Sequence, residues 1–165
     1  MRTLLATFLA VLLVGCSPAA KSPLSFQLPA NWKAQHKLSD GDDFYTITAK
    51  KRADGLLTFS TFPPVSAAPE NIPELVKGLA DEYLKEAKNS KEFTVVSEDY
   101  QVEQFGGGQC QGSYATLQLR RGGANIVQAL FVMQVDGRIW SGQFTGVPDA
   151  WKQALTVLKN LKTNG

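Results

Sequence analysis

Apolar and polar side chains follow two rhythms along this chain, and each rhythm predicts its own kind of element. From residue 72, the apolar side chains Ile72, Leu75, Val76, Leu79, Ala80, Tyr83, Leu84 and Ala87 recur at spacings of three, one and three. Glu74, Lys77, Asp81, Glu82, Lys85 and Glu86 fill the positions between. That is the pattern of a surface helix with one apolar face laid on a sheet. Pro73 suits a first helical turn, Asn71 is placed to cap it, and Lys85 and Lys88 stand at the end that favours cations. A second helix is predicted after Val147-Pro148-Asp149, where Trp151, Ala154, Leu155, Leu158 and Leu161 share a face.

The other rhythm has a period of two. Leu24 to Leu28 alternates and stops at Pro29, predicting a short first strand ahead of Trp32. Residues 33 to 43 are polar and gather Asp40, Asp42 and Asp43 around Gly41, which predicts a loop or turn. Phe44 to Lys51 and Leu56 to Phe62 flank Asp54-Gly55 and read as a hairpin ended by Pro63-Pro64. After the first helix, strands are predicted at 93–105, 111–121, 125–135 and 138–145. The turns between them are Gly106-Gly107-Gly108, Gly122-Gly123 and Asp136-Gly137, which implies an antiparallel meander. The third of these strands is apolar on both faces, with Val127, Ala129, Phe131, Met133 and Val135 on one and Ile126, Leu130 and Val132 on the other. It belongs in the middle of the sheet with cover on each side. The expected fold is α+β, an antiparallel sheet of about six or seven strands covered by helices on both faces.

The N-terminus has neither rhythm. Met1-Arg2-Thr3 precedes an apolar run from Leu4 to Val14 broken only by Thr7, too short to span a bilayer and built like a secretory leader. Leu13-Val14-Gly15-Cys16 ends that run and resembles the lipobox of bacterial lipoproteins, in which the chain is cleaved before the cysteine and its sulfur is lipidated. That resemblance implies a signal peptide over 1–15, an acyl (palmitate-type) anchor on Cys16 and a tether through residue 23. The single domain expected over 24–162 would then face the periplasm. Ser17 after the cysteine implies sorting to the outer membrane in a Gram-negative cell.

Composition narrows the function classes. The chain has 165 residues, 44% hydrophobic and 19% charged, a balance that suits one packed domain and speaks against disorder or a membrane bundle. Seventeen Lys and Arg face fifteen Asp and Glu. Lys50-Lys51-Arg52 and Arg120-Arg121 are the adjacent bases, and they read as solvated strand ends, so no nucleic-acid partner is expected. With Cys16 lipidated, Cys110 is left as a lone thiol and is expected to be buried.

Catalytic and metal chemistry find little to stand on. One histidine, His36, and one cysteine beyond the anchor cannot supply a metal cluster, and Asp40-Gly41-Asp42-Asp43 lacks the spacing of a calcium loop. Gly106 to Gly112 has neither the spacing nor the following helix of a dinucleotide loop. No catalytic residue, metal site or cofactor is therefore expected. His36 reads as an exposed loop residue, and a Cys110–His36 nucleophile pair is disfavoured. Trp32, Trp140 and Trp151 read as core. Phe62-Pro63-Pro64-Val65, extended and apolar between strand and helix, is the candidate contact loop.

Phe26-Gln27-Leu28-Pro29-Ala30-Asn31-Trp32, the mid-chain helix, the glycine-turned meander and the closing Trp151 helix together resemble the PsbP-like family over residues 24 to 162. That family is an α/β/α sandwich that includes photosystem extrinsic subunits, a Ran-binding nuclear import factor, bacterial lipoproteins and chaperones for secreted effectors. The resemblance implies a non-catalytic binding or accessory protein with a protein partner in the cell envelope. A small-molecule or lipid carrier is the alternative, and an unrecognised hydrolase ranks third.

Overall fold

The computed structural model describes residues 22–52, 54–61, 71–107 and 109–164. The fold is mixed α+β. Its centre is an eight-stranded sheet in the order β2-β3-β4-β9-β8-β7-β5, with β6 also pairing β7. The strands are β2 (Lys33–Ser39), β3 (Asp42–Thr48), β4 (Gly55–Thr61), β5 (Thr94–Val95), β6 (Val102–Gly107), β7 (Cys110–Arg121), β8 (Ala124–Val135) and β9 (Arg138–Gly146). Every pairing is antiparallel. A separate two-stranded ribbon joins β1 (Leu24–Ser25) to β10 (Lys162–Thr163). The helices are α1 (Ile72–Asn89) and α2 (Pro148–Lys159).

Three expectations need correction. Residues 33 to 43 are not a loop: Lys33–Ser39 is β2, and only Asp40-Gly41 turns. As the outermost strand of the sheet, β2 is exposed at every position but His36, so burial imposes no alternation for a pattern to reveal. Its turn pairs Ser39 with Asp42 and puts both central residues at positive φ, 54° for Asp40 and 90° for Gly41, the geometry that Asp-Gly favours in a tight hairpin. The predicted strand 93–105 divides into β5 and β6, because Ser97 Oγ accepts the Asp99 N–H at 3.1 Å and folds the chain on itself between them. The first strand is only Leu24–Ser25, with Phe26 and Leu28 packing on the core rather than pairing. These changes bring the main sheet to eight strands, more than the expected six or seven.

The helices stand where the apolar spacing puts them. Asn71 is the residue before α1, but its side chain makes no capping bond; Glu74 in the first turn and Lys88 in the last complement the helix dipole. α1 packs on β5, β6, β7 and β8, and its Ile72, Val76, Ala80 and Leu84 share a cluster with Ala115, Leu117, Leu130 and Val132. A second cluster joins Trp151, Ala154 and Leu158 of α2 to Phe131, Met133, Phe144 and the aromatic strand residues Tyr45 and Phe59. Along β8, Ala129, Phe131 and Met133 belong to the α2 cluster, and Leu130 and Val132 to the α1 cluster.

Glycine makes the close approach under α2 possible. A Cβ on Gly142 would stand 2.6 Å from Phe131 Cζ and 2.5 Å from Phe59 Cβ, so only a hydrogen fits between those two rings.

Candidate functional site

Two places concentrate polar chemistry. The first is the end of the sheet where the described chain begins. His36 lies on β2 opposite Tyr45 and points to the α2 side, so it is not the exposed loop residue its context suggested. Its Nε2 is 2.8 Å from Asp43 Oδ1, with both side chains only 11% exposed, and its ring stacks on Tyr45 at 4.7 Å. Arg138 approaches the other carboxylate oxygen at 3.5 Å and sits 5.9 Å from the Trp140 ring. Asp43 N–H in turn donates to Thr61 Oγ1 at 3.1 Å. The buried indole N–H of Trp140 has no partner among the described residues.

Tyr45 connects this cluster to the entering chain. Its hydroxyl accepts the Leu24 N–H at 3.1 Å and lies 2.7 Å from Ser22 Oγ. Burial raises the phenol above its ordinary value, with the nearby Asp43 carboxylate adding to the effect. In the sequence Asp43 stands out only as part of an acidic turn, and Arg138 only as the start of a strand. What joins them to His36 is strand register, and that could be read only once β2 was known to be a strand.

The second place is one face of strands β2, β3, β4 and β9. Register sets three rows across these neighbours: Gln35, Thr46, Thr58 and Gln143; Lys37, Phe44, Ser60 and Ser141; Lys33, Thr48, Leu56 and Thr145. These side chains are exposed or half-buried, while those on the reverse of the same strands, Tyr45, Ile47, Leu57, Phe59 and Phe144, are buried. The third row continues onto β8, where Gln128 accepts from Thr145 Oγ1 and donates Nε2–H to Gln143 Oε1 at 3.0 Å. Beyond that seam the face turns apolar under α1.

Cys110 is buried beside Met133, with Sγ 3.9 Å from Sδ. Burial pushes its thiol up to about 12, where it holds its proton at neutral pH and is a poor nucleophile. Cys110 and His36 therefore have separate partners. An open depression of about 540 Å³ lies between the start of α1 and the β6–β7 hairpin, edged by Ile72, Pro73, Gln104, Phe105, Gln111 and Ser113. Among the described residues there is no group of three potential metal ligands and no helix long and apolar enough to cross a membrane. Cys16 and the contact loop Phe62, Pro63, Pro64 and Val65 lie outside the described residues.

No protein-family model matches the chain, and no curated protein matches it. Among solved structures, it is similar to a protein from Bacteroides thetaiotaomicron VPI-5482, with 14% identity and a TM-score of 0.50 over 87% of this chain; the match spans 46% of that longer chain. It also aligns with LpqN, involved in cell envelope biogenesis of Mycobacterium tuberculosis, at 14% identity and a TM-score of 0.45, covering 91% of this chain and 87% of LpqN. Cyanobacterial PsbP (CyanoP) from Synechocystis sp. PCC 6803 aligns at 15% identity and a TM-score of 0.48, covering 92% of this chain and 99% of that one. At such identities the likeness to the Bacteroides protein is one of fold.

Proposed function

We propose that this chain is an envelope lipoprotein, held to a membrane by acyl chains on Cys16, whose α/β domain binds a protein partner there and performs no catalysis. The observation that carries the reading is how little chain separates Cys16 from a fixed point. Ser22 is held to Tyr45 and Asn164, so the tether is the stretch from Cys16 to Ser22, with residues 17 to 21 between them. Fully extended, it reaches about 20 Å. A lipidated cysteine there keeps the domain at the bilayer surface, and acyl burial at about 0.8 kcal/mol per CH₂ makes a multiply acylated anchor stable.

The rest of the reading follows from that placement. Residues 24 to 162 form one PsbP-like α/β/α sandwich with α1 on one face of the sheet and α2 on the other, a view supported by the two separate core clusters that share β8. Phe62 to Val65 is the contact loop for the partner. The non-catalytic role is supported by a thiol that keeps its proton and a histidine committed to Asp43. Serine after the lipidated cysteine directs the protein to the periplasmic face of an outer membrane in a Gram-negative cell.

Metabolic labelling with an acyl probe tests the anchor: label should appear on the wild-type chain and vanish in Cys16→Ala. Absence of label, or label that survives the substitution, would falsify it. Crosslinking in intact cells tests the partner, with one envelope protein expected at a residue placed at position 64 and none at a control position on α2. Equal capture at both positions sinks the contact loop.

A further inference from the structure

We propose that the open face of β2, β3, β4 and β9, with the basic β3–β4 turn at its rim, binds an acidic glycan. Its three rows offer hydroxyls and amides from Thr46, Thr58, Ser60, Ser141, Gln35 and Gln143, which match sugar hydroxyls as donors and acceptors. Phe44 and Leu56, both half-buried, give apolar surface for the C–H side of a sugar ring. The area is roughly 15 Å across by strand spacing, and its rows run along an open sheet face, a layout suited to a polymer.

Within the three rows the charge is one-sided, and the exposed Asp42, one step further along the same face of β3, is a carboxylate at their edge that accepts from Thr61 Oγ1 at 3.0 Å. No position in the three rows carries a carboxylate, whereas Lys33 and Lys37 carry exposed amines on the edge strand. Lys33 pairs with Thr48, the last residue of β3, so the exposed Lys50, Lys51 and Arg52 extend from that same row, with Asp54 as the carboxylate of the turn. None of these bases belongs to an ion pair among the described residues. The other basic pair is engaged locally: Arg121 faces Glu92 at 3.6 Å and lies over Phe93, and Arg120 donates to Asn125. Uncommitted cations beside a neutral hydrogen-bonding face complement carboxylates on a polyhydroxylated chain. The choice of glycan over nucleic acid rests on the envelope placement proposed above.

Affinity electrophoresis of the purified full chain and its Cys16→Ser form, through gels cast with polygalacturonate or with neutral dextran, tests the surface. Both forms should be retarded by polygalacturonate and not by dextran. Lys33→Gln with Lys51→Gln should weaken retardation about tenfold, the loss expected of two cation–carboxylate contacts. Arg120→Gln with Arg121→Gln removes the same net charge and should leave it unchanged. Gln143→Ala, which alters no charge, should also weaken it. No retardation, equal loss in both charge variants, or tighter binding to poly-dT or to phosphatidylglycerol vesicles overturns the proposal. Because Cys16→Ser binds in this assay whatever its acylation, failed acyl labelling defeats the anchor alone, and failed retardation defeats the glycan surface alone.

Discussion

Asn164 and Ser22 close the described chain on itself. The Asn164 side-chain amide donates to the Ser22 carbonyl at 2.9 Å and to the Leu24 carbonyl at 3.2 Å, while its backbone N–H donates to Pro23 O at 2.9 Å. Asn164→Ala removes the side-chain bonds, and about 1–2 kcal/mol of stability should go with them. Chemical denaturation measures that loss, and the Leu24 amide should exchange faster with solvent. Unaltered exchange at Leu24 would show that the β1–β10 ribbon holds without this side chain.

Tyr45→Phe keeps the ring stacked between His36 and Phe59 but removes the oxygen that accepts the Leu24 N–H. A buried donor is then left without a partner, at a cost of about 1–3 kcal/mol. A midpoint shift in urea with the slope unchanged is the expected result. A variant as stable as the parent would mean that water replaces the phenol.

At Gly142 even a methyl group has no room between Phe59 and Phe131. Gly142→Ala should destabilise the fold by about 3 kcal/mol, the upper part of the overpacking range. Gly78→Ala is the matched control, since nothing lies within 4 Å of its Cβ position on the exposed side of α1. That change should stabilise by about 0.5–1 kcal/mol. Thermal melts of the two variants should move in opposite directions.

Cys110 sets the direction of a pH response. Burial holds the folded thiol at about 12 against an ordinary value of 9.0, so above pH 9 the unfolded chain gives up a proton that the folded chain keeps. Its contribution to stability is complete below pH 9 and falls as pH rises toward 12. Tyr114, raised to about 12 by burial and by its bond to Glu103, adds a loss of the same sign above pH 10. Melting temperature should decline from about pH 9, and Cys110→Ala should flatten the first part of that decline. An identical slope in the variant would assign the whole decline to the tyrosines.

The sequence announces what burial controls and is silent where burial is weak. Both helices and β8 are legible because a core on one side, or on two, forces apolar residues into a fixed period. The long hairpins are legible through their Asp-Gly and Gly-Gly turns. Lys33–Ser39 is not, since an edge strand open to water accepts almost any polar side chain. The candidate surfaces depend on that hidden strand: once β2 pairs with β3, His36 comes onto Asp43, and Lys33, Gln35 and Lys37 join the rows of β3 and β4. Neither grouping has a spacing along the chain that a motif could encode.

β8 gives alternate side chains to two different cores. It works as a party wall between two rooms, and neither room stands once the wall is down. Leu130 and Val132 share a cluster with α1, and Phe131 and Met133 share one with α2, yet all four hang on one backbone that also pairs with β7 and β9. Damage to either core is therefore felt by the other through a shared strand, and the domain should melt in one step rather than shed its helices in turn.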